Sequence, residues 1–131
     1  MVCLETDFII ALMRKDESAL KKLQELVSKG ERLSTTPITA SELFRGAYSS
    51  ERVDENLKKV RGILSRLDLL EFNTIASDIY GQTSSDLERK GEPIGDFDAL
   101  IASIALAHNE RVVTRNIKHF SRVKGLEVEK F

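Results

Sequence analysis

Carboxylate and amide side chains stand at several points of the sequence where a short apolar segment ends or a helix begins. These side chains are Glu5, Asp7, Glu42, Asp96, Asp98 and Asn116. Like charges gathered in one place cost free energy unless a proton or a cation compensates them, and hard oxygen ligands favour Mg²⁺ or Mn²⁺. A cation held in this way lowers the pKa of its bound water and stabilises negative charge on a phosphodiester. If the fold brings these segments together, they predict metal-assisted phosphodiester chemistry.

Most of these side chains also have a purely structural interpretation. Thr39 and Glu42 have the spacing of a capping box, in which the glutamate satisfies a backbone N–H at the start of a helix. Asp96 suits an N-cap, Asp98 suits the dipole of a first helical turn, and Asn116 suits the N-cap of a last short helix. The convergence of several such residues, rather than any one of them, favours the chemical interpretation.

The apolar pattern alternates between short segments typical of buried strands and longer stretches with helical periodicity. The predicted strands are residues 2–4, 32–36, 68–72, 111–114 and 126–128. The predicted helices are residues 7–14, 18–29, 39–48, 53–67, 74–90, 96–108 and 116–120. This alternation predicts an α/β fold, an open and mostly parallel sheet with helices on both faces, in one domain over residues 1–131.

The predicted sheet also determines where the acids should lie. Parallel strands end at the same edge of a sheet, and ligands bind in the crevice outside those carboxyl ends. The acids and the asparagine follow a predicted strand directly or lie at the start of a helix. We therefore expect them to meet at this edge of the sheet.

The composition narrows the class of protein. Because 20 Lys and Arg balance 21 Asp and Glu, nucleic-acid binding would need a local patch or a metal site rather than a global basic field. The single cysteine, Cys3, excludes an internal disulfide and is expected to pack as a small hydrophobic group. No apolar run approaches the ~20 residues that span a bilayer, and no signal-peptide pattern is evident. We expect a cytoplasmic protein with no membrane partner.

Four segments, in their order and spacing, resemble the motifs of PIN-domain proteins, and specifically of the VapC-type toxins of prokaryotic toxin–antitoxin pairs. They are residues 3–10 (CLETDFII), 38–47 (ITASELFRGA), 91–102 (GEPIGDFDALIA) and 113–120 (VTRNIKHF). The resemblance implies a three-layer α/β/α fold with a central, mostly parallel sheet of about five strands. It also implies an endoribonuclease that hydrolyses RNA phosphodiester bonds with Mg²⁺ or Mn²⁺. A homodimer and a cognate antitoxin, whose tail covers the groove, are implied as well.

By this resemblance, Glu42 and Asp98 are expected to be metal ligands, directly or through water, while Thr6 and Thr114 hold the geometry by hydrogen bonding. We expect Glu5 to be the third ligand, although the family normally has an aspartate there. Glutamate adds about 1.5 Å of reach, whereas sites of this kind tolerate roughly 0.5 Å of error. The resemblance therefore predicts reduced activity for this chain.

Two further positions bear on the number of metal ions and on the attacking water. Asp7 could share the ligation with Glu5. Asn116 stands where many members carry a fourth acid, so a second metal ion is expected only if Asp96 turns inward. In the resulting hypothesis, Asp96 or Asn116 orients the water that attacks the phosphorus atom.

The remaining polar residues leave alternatives open. The basic side chains near the motifs either position the phosphate backbone or form solvated helix surface; they are Arg14, Arg45, Arg115 and Lys118. His119 is expected to be structural, because a metal ion already supplies the nucleophile.

Two rival functions also remain. One is a catalytically weakened PIN-fold module that binds antitoxin or RNA without cutting, which Glu5 favours. The other is a phosphatase that uses the segment Glu5-Thr6-Asp7.

Overall fold

A computed structural model describes residues 1–131, and its five strands form one parallel sheet. The strands are β1 (Val2–Leu4), β2 (Leu33–Thr35), β3 (Asp68–Leu69), β4 (Arg111–Thr114) and β5 (Val128–Lys130). The helices are α1 (Thr6–Met13), α2 (Glu17–Ser28), α3 (Pro37–Tyr48), α4 (Val53–Leu64), α5 (Thr74–Arg89), α6 (Asp96–Ala107) and α7 (Ile117–Phe120). The strand order is β3-β2-β1-β4-β5, and every neighbouring pair is parallel. The predicted α/β fold with a five-stranded sheet is confirmed.

Both faces of the sheet are covered, so its central strands are apolar on both sides. Val2 and Leu4 of β1 and Val113 of β4 pack with α1, α2, α3 and α4. Cys3 and Val112 point to the opposite face and pack with α5, α6 and α7. Cys3 is fully buried, and this burial raises the pKa of its thiol. No helix in the structure is both long enough and apolar enough to cross a membrane.

The strand order places a crevice between β1 and β4. From β1 the chain proceeds through β2 to β3 at one edge of the sheet, and it then returns to add β4 and β5 on the other side of β1. Such a reversal is the point where open α/β sheets bind ligands. Glu5 directly follows β1, and its backbone N–H donates to the carbonyl of Val113 at 3.1 Å. The residues that follow these two strands therefore flank the crevice.

The start of α3 differs from the sequence prediction. The helix begins two residues earlier than predicted, with Pro37 at its first position, where the backbone N–H that proline lacks would have had no partner within the helix. Thr36 is the N-cap, and its buried hydroxyl accepts a hydrogen bond from the N–H of Thr39 at 3.1 Å. Thr39 consequently lies inside the helix, so the predicted capping box is wrong. Glu42 instead accepts a hydrogen bond from Thr6 at 2.7 Å.

Two strands also differ in their bounds. The last strand begins at Val128 rather than at residue 126, because Val128 pairs with Val112 while Leu126 still belongs to a turn. β3 contains only Asp68 and Leu69, the residues that pair with β2, instead of the predicted five. In both cases the strand is defined by pairing with its neighbour rather than by its own apolar pattern.

The cap of α3 gives a stability test. Thr36→Ala should lower the free energy of unfolding by about 1–2 kcal/mol, because it leaves a buried helical N–H without its acceptor. Thr36→Ser, which keeps the hydroxyl, is the matched control and should retain most of that stability. Urea unfolding followed by circular dichroism measures both variants, and an equal loss in Thr36→Ser would show that the hydroxyl of Thr36 is not the stabilising cap.

Candidate active site

Glu5 is the buried acid at the centre of the crevice. Only 5% of its surface is exposed. One carboxylate oxygen accepts hydrogen bonds from the N–H of Asp7 at 3.2 Å and from the hydroxyl of Thr114 at 3.1 Å. Burial is the main reason that the pKa of Glu5 is raised to about 9, and the carboxylates of Asp7 and Asp98 add to this shift. Glu5 is also the N-cap of α1, so the fold fixes its position at the end of β1.

Thr114, the last residue of β4, lies between Glu5 and Asp7. Its hydroxyl oxygen is 3.2 and 3.3 Å from the two carboxylate oxygens of Asp7 and accepts a hydrogen bond from the N–H of Asn116 at 3.0 Å. A hydroxyl has one proton, so Thr114 can donate to only one of the two acids at a time. Asp7 has a second donor in the N–H of Arg115 at 2.9 Å. The end of β4 therefore holds both acids of the first motif.

Glu42 is held by a cluster of buried hydroxyl groups. Thr6 donates to its carboxylate at 2.7 Å, and the hydroxyl oxygens of Thr6 and Thr39 lie 3.0 Å apart. Because Thr6 uses its one proton on Glu42, Thr39 must supply the proton between the two threonines. The pKa of Glu42 is raised, chiefly by partial burial and also by the charge of Asp98, while the bond from Thr6 opposes the shift. The second motif thus lies close to the other acids.

Asp98, in the first turn of α6, is held from the opposite side by α7. It accepts hydrogen bonds from the ring Nδ1 of His119 at 2.9 Å and from the side-chain amide of Asn116 at 3.3 Å. Asn116 therefore contacts an acid instead of capping α7 through its side chain. His119 contacts the same acid, which the sequence interpretation missed. The signal was the spacing of three residues between Asn116 and His119, which puts both on one helical face.

Asp96 lies apart from the other acids. It is the first residue of α6 and not the N-cap, because Gly95 takes that position with a φ of 87°, which favours glycine. The Asp96 side chain is exposed and accepts a hydrogen bond from the hydroxyl of Tyr80 at 3.1 Å. The structure therefore joins Asp96 to α5, while Asp98, two residues later, contacts α7.

The residues of the crevice fit a hard divalent cation in their donor chemistry. Glu5 and Asp7 share a hydrogen-bond donor, and the charge of Asp98 raises the pKa of both Glu5 and Glu42. A cation would relieve this repulsion. The acids do not form a ready-made cage, however, since no group of three Asp, Glu, His or Cys side chains has metal-binding geometry. The protein's own donors hold the carboxylates instead.

Arg115, one of the basic side chains near the motifs, is held by two contacts. The guanidinium of Arg115 is paired with Asp16 at 3.2 Å and lies 4.3 Å from the ring centre of Phe131. Phe131 in turn packs edge-on against Phe8 with 4.7 Å between ring centres. These contacts give Arg115 a structural role, although half of its side chain remains exposed.

The raised pKa of Glu5 predicts a pH dependence of stability. In the unfolded chain the pKa of Glu5 has its ordinary value of 4.5, whereas the folded protein keeps the carboxyl proton of Glu5 up to about pH 9. Without divalent cations, the free energy of unfolding should therefore fall as pH rises through this window, by at most about 1.4 kcal/mol per pH unit. Glu5→Gln should flatten the slope. Urea unfolding in EDTA across the window measures it, and identical slopes for both proteins would contradict the shift.

Comparison with known proteins assigns the chain to a family. Residues 2–126 match the PIN domain family. The chain is 34% identical to ribonuclease VapC2 of Rickettsia felis over 126 residues. This match covers 96% of this chain and 94% of that protein. It is 39% identical over 98 residues to the tRNA(fMet)-specific endonuclease VapC of Salmonella typhimurium, which covers 75% of this chain and 74% of the relative.

A solved structure agrees with this assignment. The crystal structure of VapBC2 from Rickettsia felis, bound to a DNA fragment from its promoter, contains a chain that superposes on this one with a TM-score of 0.91. That chain is 34% identical, and the match covers 100% of this chain and 99% of the other. The sequence match, the superposition and the four motifs around the crevice agree, and the chain belongs to the PIN-domain family, among the VapC proteins.

Proposed function

We propose that this chain is a divalent-metal-dependent endoribonuclease and the toxin component of a toxin–antitoxin pair. The observation that carries the proposal is the set of acids, among them the buried Glu5, around the crevice between β1 and β4. The names of two relatives support RNA as the substrate: one is a ribonuclease, and the other is a tRNA(fMet)-specific endonuclease. Initiator tRNA is therefore the first substrate to test.

In this proposal Glu5, Glu42 and Asp98 would hold Mg²⁺ or Mn²⁺, and Asp7 is close enough to Glu5 to share the ligation. When bound, the ion lowers the pKa of coordinated water and stabilises charge on the phosphate. The chain's own part is to hold these acids in place, since ligands that their neighbours orient bind more tightly. Thr114 supports the first motif by the hydrogen bonds described above.

In this proposal, the residues that hydrogen-bond to Asp98 take the roles of positioning the ligand and orienting the water. His119 is a positioning residue in this proposal, because it contacts Asp98 rather than open solvent alone. Asn116 also contacts Asp98 and is better placed than Asp96, which is bonded to Tyr80, to orient the attacking water. A neutral amide at position 116 and the hydrogen bond that joins Asp96 to Tyr80 favour one metal ion over two.

One alternative has a specific observation in its favour. A catalytically weakened module that binds antitoxin or RNA without cutting is consistent with a glutamate in place of the family's aspartate. Because Glu5 is buried and its pKa is about 9, it stays protonated at neutral pH until a cation displaces the proton. The phosphatase interpretation is less consistent with the geometry, because a nucleophilic carboxylate must reach its substrate and Glu5 is 5% exposed.

The proposed partners follow from the same family. We propose a cognate antitoxin, since the similar Rickettsia felis structure is of VapBC2 and the resemblance is to VapC-type toxins. The homodimer and the cytoplasmic location expected from the sequence remain part of this proposal. Size-exclusion chromatography with light scattering would measure the first of these.

Metal dependence and Asp98 can be tested together. The purified chain should cut labelled initiator tRNA in Mg²⁺ or Mn²⁺ and leave it intact in EDTA. Asp98→Asn should lower the rate by about 100-fold or more, because it removes a negative ligand from the site. Asp78→Asn, the same change at an exposed position of α5, is the matched control and should cut at the normal rate. Cleavage that is unaffected by EDTA would refute the proposal.

The length of the first acid gives a second activity test. Glu5→Asp should raise the cleavage rate in Mg²⁺ by about tenfold, since the shorter side chain removes an error of reach that such sites tolerate poorly. Aspartate is also a good N-cap, so α1 should keep its start. If Glu5→Asp cuts more slowly than the natural chain, the site is built for glutamate and the weakened-module alternative loses its basis.

A further inference from the structure

A pocket of about 330 Å³ lies between α1, α3 and α4 and reaches Glu42. Half of its ten lining residues are hydrophobic, among them Ile10, Met13 and Leu43. Its polar lining includes two cations, one amide and only one acid, which is Glu42 itself. A pocket that combines hydrophobic side chains with a few polar groups is typical of a ligand site, and this one adjoins an acid of the candidate active site.

The two cations of the pocket are available to an anion. Arg14 takes part in none of the ion pairs of the structure. Lys59 pairs only with Glu55, at 3.7 Å, and both side chains are 52% exposed. An exposed pair of this kind contributes little stability and is readily exchanged. The positive charge therefore suits the phosphates that flank a cleaved bond.

The amide of Asn56 presents an acceptor to the pocket's ligand. The hydroxyl of Ser50 donates its single proton to the carbonyl of Ala47 at 2.6 Å. Its oxygen must then accept from Asn56, whose Nδ2 lies 2.9 Å away. This fixes the orientation of the amide and leaves Oδ1 without a partner in the chain. Every nucleobase carries at least one N–H that such an acceptor can bind.

Gly46 leaves part of the pocket open. It lies within α3, where alanine would be the better helix former. A Cβ atom built there would meet no other atom within 4 Å. The space beside Gly46 is therefore kept free by the absence of a side chain, in a helix whose stability does not need glycine.

We propose that this pocket is a nucleotide subsite for the RNA substrate. One base next to the cleaved bond enters between Ile10 and Met13 and donates an N–H to Asn56, while Arg14 and Lys59 bind its phosphates. The inference rests on the proposed ribonuclease function. A base can enter only when it is unstacked, so the subsite selects single-stranded or looped RNA. Arg14, which has no ion pair, and Lys59, whose exposed pair with Glu55 is weak, match the negative charge of an RNA backbone, and this complementarity favours RNA as the occupant.

Filling the pocket tests the subsite. Gly46→Leu should lower kcat/KM about tenfold or more, and an RNA lacking the base next to the mapped cut should cost the natural chain a similar factor. Gly46→Leu should cut the intact and the abasic RNA at equal rates, because the base no longer enters. Gly81→Leu is the matched control, since Gly81 is also an exposed helical glycine with nothing within 4 Å of a Cβ. It should behave like the natural chain.

The cations give an independent readout. Arg14→Gln and Lys59→Gln should each weaken RNA binding and reduce the slope of log affinity against log salt by about 1. Lys21→Gln on α2 is the charge-matched control and should leave the slope unchanged. If Gly46→Leu fails to fold by circular dichroism, Gly46→Ala, which adds one methyl group, should still lower the preference for the intact over the abasic RNA.

The outcomes separate this inference from the function on which it rests. If the natural chain cuts RNA and Gly46→Leu keeps the full preference for the intact RNA, the subsite is refuted while the ribonuclease function stands. If the natural chain cuts no RNA, the proposed function fails; equal binding of intact and abasic RNA would then refute the subsite as well. If Gly46→Leu loses only the binding of a partner protein, the pocket is a protein-docking surface and the inference is overturned.

Discussion

A carboxylate buried at the end of β1 is the constraint on which the rest of the site depends. Glu5 loses most of its contact with water, and its nearest neighbours include another acid, so its charged form is costly unless something compensates it. The chain offers partial compensation through the N–H of Asp7 and the hydroxyl of Thr114. The remainder must come from a proton or a cation. The local fold at the end of β1, which buries Glu5, therefore determines that the crevice must hold a proton or bind a cation.

The strand order makes this arrangement possible. Because β4 is inserted beside β1, Thr114 reaches Glu5, and the start of α7 after β4 brings Asn116 and His119 to Asp98. The two apolar clusters, one on each face of the sheet, fix the helices that carry the other acids. The apolar core positions these acids, and hydroxyl, amide and imidazole groups then limit their movement.

The sequence predicted the class of fold well because apolar strands and amphipathic helices alternate so clearly. It located β1 and β4 correctly, since β1 is buried and apolar throughout and the centre of β4, Val112 and Val113, is buried and apolar as well. It placed β5 two residues early, because that strand's bounds come from pairing with β4. At α3 and α6 the helix starts were assigned to Thr39 and Asp96, although Thr36 and Gly95 are the N-caps. At α3 the signal was present in the sequence, since a threonine followed by a proline is typical of an N-cap and the first helical position. At α6 the N-cap is set by the backbone conformation of Gly95, which side-chain type alone does not reveal.

The contact between Thr114 and Glu5 has a consequence for how the protein is made. It joins residues that are 109 positions apart, and β4 lies between two strands of which one comes first in the chain and the other last. A ribosome therefore produces Glu5 long before Thr114, the partner that completes its surroundings. A translation product that stops before residue 111 lacks β4. It therefore lacks one wall of the crevice and the hydrogen-bond donors on that side. Assembly of the site is thus among the last events in the biosynthesis of the chain.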